Sequence, residues 1–96
     1  NDELVEAGNR AIKGDWPQAT DLWFELAGSD REKIAEKASY NMALASEMAG
    51  DLDLAITWAE RCIENYDSRL AKSYLEVLKQ RSKDLQPFKP YLSSKN

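Results

Sequence analysis

The chain has 96 residues, 43% apolar and 31% charged, with a formal charge of −4: the composition of one small globular domain, able to bury about 60–65% of its unfolded surface. The acidic balance argues against nucleic acid and anionic membranes as partners, since both attract cationic protein, and no apolar run approaches the roughly 20 residues that span a bilayer. The lack of histidine removes the commonest general base and the commonest metal ligand together.

In chain order, apolar residues at helical spacing predict a first helix over 2–13 and a second over 16–27, stopping at Gly28. A third runs to Ala49 and opens on Ser29-Asp30-Arg31-Glu32, the spacing of a capping box. It carries Ile34, Ala35, Ala38, Met42, Ala45, Met48 and Ala49 on one stripe. A fourth covers 52–65, with Leu54, Ala55, Trp58, Cys62 and Ile63 as its apolar set. A fifth, capped by Asp67 or Ser68, runs to about Lys83 with Leu70, Ala71, Tyr74, Leu75 and Leu78. Residues 84–96 contain Pro87 and Pro90 and read as an extended tail, in which Phe88, Tyr91 and Leu92 are apolar anchors. That tail reads equally as a cover folded back on the helices or as a free terminus.

The helices fall into repeated hairpins. Gly14-Asp15-Trp16-Pro17-Gln18-Ala19 returns 36 residues later as Gly50-Asp51-Leu52-Asp53-Leu54-Ala55. Each Gly suits a left-handed helix end, and each Asp can cap the helix that follows. Pro17 falls in a first turn, where its missing N–H costs little.

These residues resemble the tetratricopeptide repeat (TPR) family over about residues 2–82. In that family a large apolar residue and a small one lie in the first helix of each hairpin. A Gly-Asp-aromatic turn follows, and then Ala in the second helix. Met42-Ala43, Gly50-Asp51-Leu52, Ala55 and Cys62 fill those positions in the second repeat, and Ala7, Gly14-Asp15-Trp16, Ala19 and Trp23 in the first. Glu3, Ser39 and Ser46 depart from the pattern, standing where large rings are usual. The spacing of 36 exceeds the usual period of about 34, so the first connection between hairpins is expected to be longer. The resemblance implies an all-α fold of antiparallel hairpins stacked as a short right-handed solenoid. Its repeats would be 2–28 and 30–66, with a closing helix at 68–83, all within a domain at 1–83. The run 52–60, with the Trp-rich second helices, also resembles helical C-terminal regions of bacterial envelope lipoproteins.

The family binds partners on the concave face formed by first helices. Carried onto this chain, that face takes Leu4, Ala11 and Ile12 from the first helix. The third helix supplies Lys37, Tyr40, Asn41, Leu44, Glu47 and Met48, and the fifth Tyr74 and Leu78. Leu44, Tyr74 and Leu78 read equally as core. A carboxylate clamp of the chaperone-binding type is not expected, because Leu4 and Gly8 stand where it needs Lys and Asn, leaving only Asn41 in place.

The function this implies is a protein-interaction or scaffold module for a peptide or partner domain. The alternative is a structural helical cap of a larger, cell-envelope protein with no groove of its own. No enzyme, cofactor or metal site is expected, since phosphate loops, ligand spacings and nucleophile elbows are all lacking. Trp16, Trp23 and Trp58 read as packing between helices rather than as a sugar platform. Cys62 reads as an inert core thiol. The chain begins at Asn1 without an initiator Met and reads as part of a longer protein. Two and a half repeats leave the ends of the stack open, so self-association or an N-terminal partner domain is expected.

Overall fold

The computed structural model describes residues 2–88. They form five α-helices: α1 (Asp2–Ile12), α2 (Trp16–Ala27), α3 (Glu32–Met48), α4 (Leu52–Tyr66) and α5 (Arg69–Leu85). A 3₁₀ turn, Gln86–Phe88, closes the described chain, and no strand occurs among these residues. The extensive contacts run between consecutive helices, α1 with α2, α2 with α3, α3 with α4 and α4 with α5.

The two Gly-Asp turns are built alike. Gly14 and Gly50 have φ of +86° and +84°. Gly14 N–H donates to the Ala11 carbonyl (3.0 Å) and Asp15 N–H to Arg10 (2.8 Å). Thirty-six residues on, Gly50 N–H donates to Glu47 and Asp51 N–H to Ser46, both at 2.9 Å. Reaching back three and five residues, these pairs satisfy carbonyls that a helix end leaves free.

The capping side chains differ between the turns. Asp51 accepts from Leu54 N–H at 3.0 Å. Asp15 makes no capping bond; its carboxylate turns toward the Arg10 guanidinium, 3.5 Å away. The expected capping box at Ser29 does not form either. Ser29 Oγ accepts from Arg31 N–H two residues on (3.1 Å), a local turn that delays the start of α3 to Glu32. Ser68 caps α5 through Ala71 N–H at 3.2 Å, while Asp67 ends α4 in a left-handed conformation. The link 28–31 between α2 and α3 is two residues longer than the link 67–68 between α4 and α5.

Alanine makes up much of the core. Ala7, Ala19, Ala43 and Ala55, which the resemblance sets at small positions, are all fully buried. They join Trp23, Met42, Trp58, Leu75 and Leu78 in one cluster that touches all five helices. A smaller cluster of Leu26, Ile34 and Ala38 seals α2 against α3. Ser39 and Ser46, where the repeat usually has rings, are buried; the Ser46 hydroxyl donates to the Met42 carbonyl at 2.7 Å. Trp23 and Trp58 are core, and Trp16 lies half-buried against Trp23 with ring centroids 6.1 Å apart. Cys62 is fully buried, and its thiol donates to the Glu36 carbonyl at 3.4 Å. Burial pushes that thiol above its ordinary pKa, a Ser68 hydrogen bond opposes, and the Glu36 charge adds to the rise. Arg61 lies over the Trp58 ring, 4.6 Å from its centroid.

The expected tail beginning at residue 84 is corrected at its start. Helix α5 continues to Leu85, and Gln86–Phe88 remain helical as a 3₁₀ turn. Pro87 lacks an N–H, which stops the α-ladder at that point, while Gln86 before it keeps a helical backbone (φ −50°, ψ −46°) against the usual preference of a residue preceding proline. The tail anchors Tyr91 and Leu92 lie outside the described residues.

Candidate functional site

Helices α3 and α5 lie on either side of α4 in the chain, yet side chains join them directly. Tyr40, Leu44 and Glu47 recur at intervals of four and three, which sets them on one face of α3. Tyr74 and Arg81 are seven apart on α5 and share a face there. The Tyr40 and Tyr74 rings meet edge to face, with centroids 5.8 Å apart and planes at 64°. Tyr74 Oη donates to Glu47 Oε1 at 2.6 Å. Arg81 Nη1 forms an ion pair with Glu47 Oε2, so both carboxylate oxygens are engaged.

The electrostatics follow from this arrangement. Burial alone would raise the Glu47 pKa; the hydrogen bonds from Arg81 and Tyr74, with the Arg81 charge, outweigh it and hold the carboxyl below its ordinary value. Burial also pushes the Tyr74 phenol upward, and its hydrogen bond to Glu47 and the carboxylate charge push it further. Glu47 is therefore ionised and Tyr74 protonated around neutral pH. The pair is suited to fixed hydrogen bonding rather than to proton exchange. Among the described residues no group of three or more His, Cys, Asp or Glu side chains is placed to hold a metal ion. No described helix is long and apolar enough to cross a membrane.

The expected groove residues separate into several environments. Tyr40, Asn41, Leu44, Glu47 and Tyr74 are half-buried, and Lys37 is exposed one turn before Tyr40 and Asn41. Leu4 is half-buried and packs on both core clusters, as Ala11 does on the larger. Ile12 is 85% exposed at the end of α1. Leu78 leaves the set: it is fully buried, because with Ala71 and Leu75 it repeats at intervals of four and three along the core stripe of α5. Met48 leaves it as well. It is exposed and lines a different cleft, between α2 and α3, with Trp16, Pro17 and Thr20.

Arg81 was not among the expected residues. Its spacing of seven from Tyr74 was legible, but a lone arginine near a helix end ordinarily reads as a solvated charge. Only the approach of α3 shows that it meets Glu47.

A family model described as a domain of unknown function (DUF6340) matches residues 5–80, reaching from α1 into α5. No curated protein and no solved structure matches the chain.

Proposed function

We propose, for a chain that belongs to the DUF6340 family, that it is a protein-interaction module. In this reading the five helices stack as a short, right-handed TPR-like solenoid that receives a peptide or partner domain on the face of α1, α3 and α5. The repeated Gly-Asp turns, the fully buried alanines and the consecutive helix contacts support the stacking. The observation that carries the binding role is the half-buried group of Tyr40, Tyr74 and Glu47 joined to the half-exposed Arg81. Two rings set edge to face offer an apolar ledge, and the engaged carboxylate beside them is a fixed polar marker. Such a combination is suited to an extended segment bearing an apolar side chain and a polar one.

Selection of random peptides on the intact chain tests this. Enriched peptides should lose at least about tenfold in affinity for Tyr40→Ala and Arg81→Ala, and keep it for Glu60→Ala on the outer face of α4. Each variant is checked for native helicity first. Failure to enrich any peptide, or binding indifferent to Tyr40 and Arg81, rejects the groove.

A second reading, a structural cap within a larger protein, is favoured by α5. Leu70 and Val77 along it, Leu85 at its end and Phe88 just beyond are all exposed, at 65%, 42%, 40% and 56%. Their spacing sets them close to one stripe, the kind of face that a further helix or domain covers.

A further inference from the structure

A second surface lies apart from the α3–α5 group and does not depend on it. Where α2 begins and α3 ends, an open cleft of about 380 Å³ is lined by Trp16, Pro17 and Thr20 from one helix and Ala45, Met48 and Ala49 from the other. The left-handed turn at Gly14 and the proline in the first turn of α2 set the Trp-Pro wall. Two alanines on α3 leave the space opposite it. One wall is held by the contact of Trp16 with Trp23. The other carries Met48, 67% exposed on a flexible thioether chain that can adapt to what enters. The volume suits a single large side chain with room for its backbone.

Asp21 borders this cleft, and it also borders the neighbouring one between α1 and α2. There, among the described residues, the acids Asp2, Glu6 and Asp21 line the surface together with Arg10, so acids outnumber the base. Arg10 is already bound to Glu6, with its guanidinium also turned to Asp15. The apolar cleft therefore opens, at the shared Asp21, onto an acidic strip.

We propose that this surface docks a cationic protein segment carrying an apolar anchor. One Leu-, Met- or Phe-like side chain enters between Trp16 and Met48, and a Lys or Arg one or two residues away lies over Asp21 and the acids of α1. The charge determines the class of partner. An acidic peptide, a nucleic acid or an anionic membrane would meet like charge, and an uncharged apolar segment would leave the acidic strip unused.

The probes are three end-capped peptides: one Phe followed by four Lys, one Phe followed by four Glu, and four Lys alone. Titrations of the full chain are read at the Met48 methyl and the Thr20 and Asp21 amides by NMR. The Phe-Lys peptide is expected to give saturable shifts at all three, weakening at least about tenfold from low to high salt. The Phe-Glu peptide should bind at least about tenfold more weakly, and four Lys alone should leave the Met48 methyl unmoved. Asp21→Lys, at an exposed position, should reverse the preference between the two Phe peptides. Equal binding of those peptides, shifts centred on Tyr40 and Tyr74, or no saturable shift at Met48 would each overturn the proposal.

Discussion

The Tyr74 hydroxyl on α5 reaches Glu47 on α3 across 2.6 Å, joining two helices that α4 separates in the chain. The extensive contacts of the fold run instead between neighbours in sequence. This bond and the Arg81 ion pair beside it tie the last helix to the third.

Replacing Tyr74 by Phe keeps the ring against Tyr40 and removes only the donor. The half-buried carboxylate loses one partner but keeps Arg81. A loss of about 1–2 kcal/mol is expected in urea denaturation, with the slope of the transition unchanged. No loss would mean that solvent replaces the hydroxyl freely and that the bond does not restrain α5.

Acid should act through the same carboxyl. The Glu47 pKa in the fold lies below its ordinary value of 4.5, so the unfolded chain binds the more protons in mildly acid solution. The stability that Glu47 contributes is full above about 4.5 and declines as pH falls through the folded-state value. Asp67 is held low in the same direction by its Lys72 hydrogen bond and charge, so the informative quantity is a difference. The Tm of wild type minus that of Glu47→Gln should shrink on acidification below about pH 4.5. A difference independent of pH would remove Glu47 from the account.

Ala55 is fully buried in the cluster that touches all five helices. Ala55→Leu adds three carbons where helices approach closely, and should cost about 1–3 kcal/mol. Thermal melting should fall by roughly 4–8 °C for each kcal/mol in a domain of this size. An unchanged Tm would show that the helices can part cheaply at this position.

Two glycines should respond in opposite directions to the same substitution. Gly50 has a φ of +84° with nothing within 4 Å of where an added methyl would sit, so Gly50→Ala is opposed by backbone conformation alone, at about 1–2 kcal/mol. Gly8 lies within α1, also with open space around it, and Gly8→Ala should stabilise by about 0.5–1 kcal/mol. Chemical denaturation of both variants checks the sign of each.

The two aspartates of the repeated turn should also differ. Asp51→Ala removes a capping bond to Leu54 N–H and should cost about 1 kcal/mol. Asp15→Ala removes a part-exposed ion pair with Arg10, and should cost well under that. Equal losses would mean that Asp15 caps α2 in solution.

The helices and their turns were legible in the amino-acid order alone. Period and punctuation are local: apolar stripes recur at helical spacing, and Gly14 and Gly50 need a left-handed backbone that their neighbours cannot supply as cheaply. The small positions Ala7, Ala19, Ala43 and Ala55 were legible for the same reason, since their place relative to each turn is set within one hairpin. Side-chain choices at helix ends were not. Asp15 and Asp51 occupy equivalent places, but only Asp15 has an arginine five residues back to draw its carboxylate away. On α5, Tyr74 and Leu78 lie on adjoining parts of one helix, and which faced the core depended on where α4 packed. That packing buried Leu78 and left Tyr74 free to reach Glu47. Arg81 joined them, and Met48 was carried to another cleft, because contacts between residues 27 or more apart in the chain depend on how helices sit against one another in three dimensions.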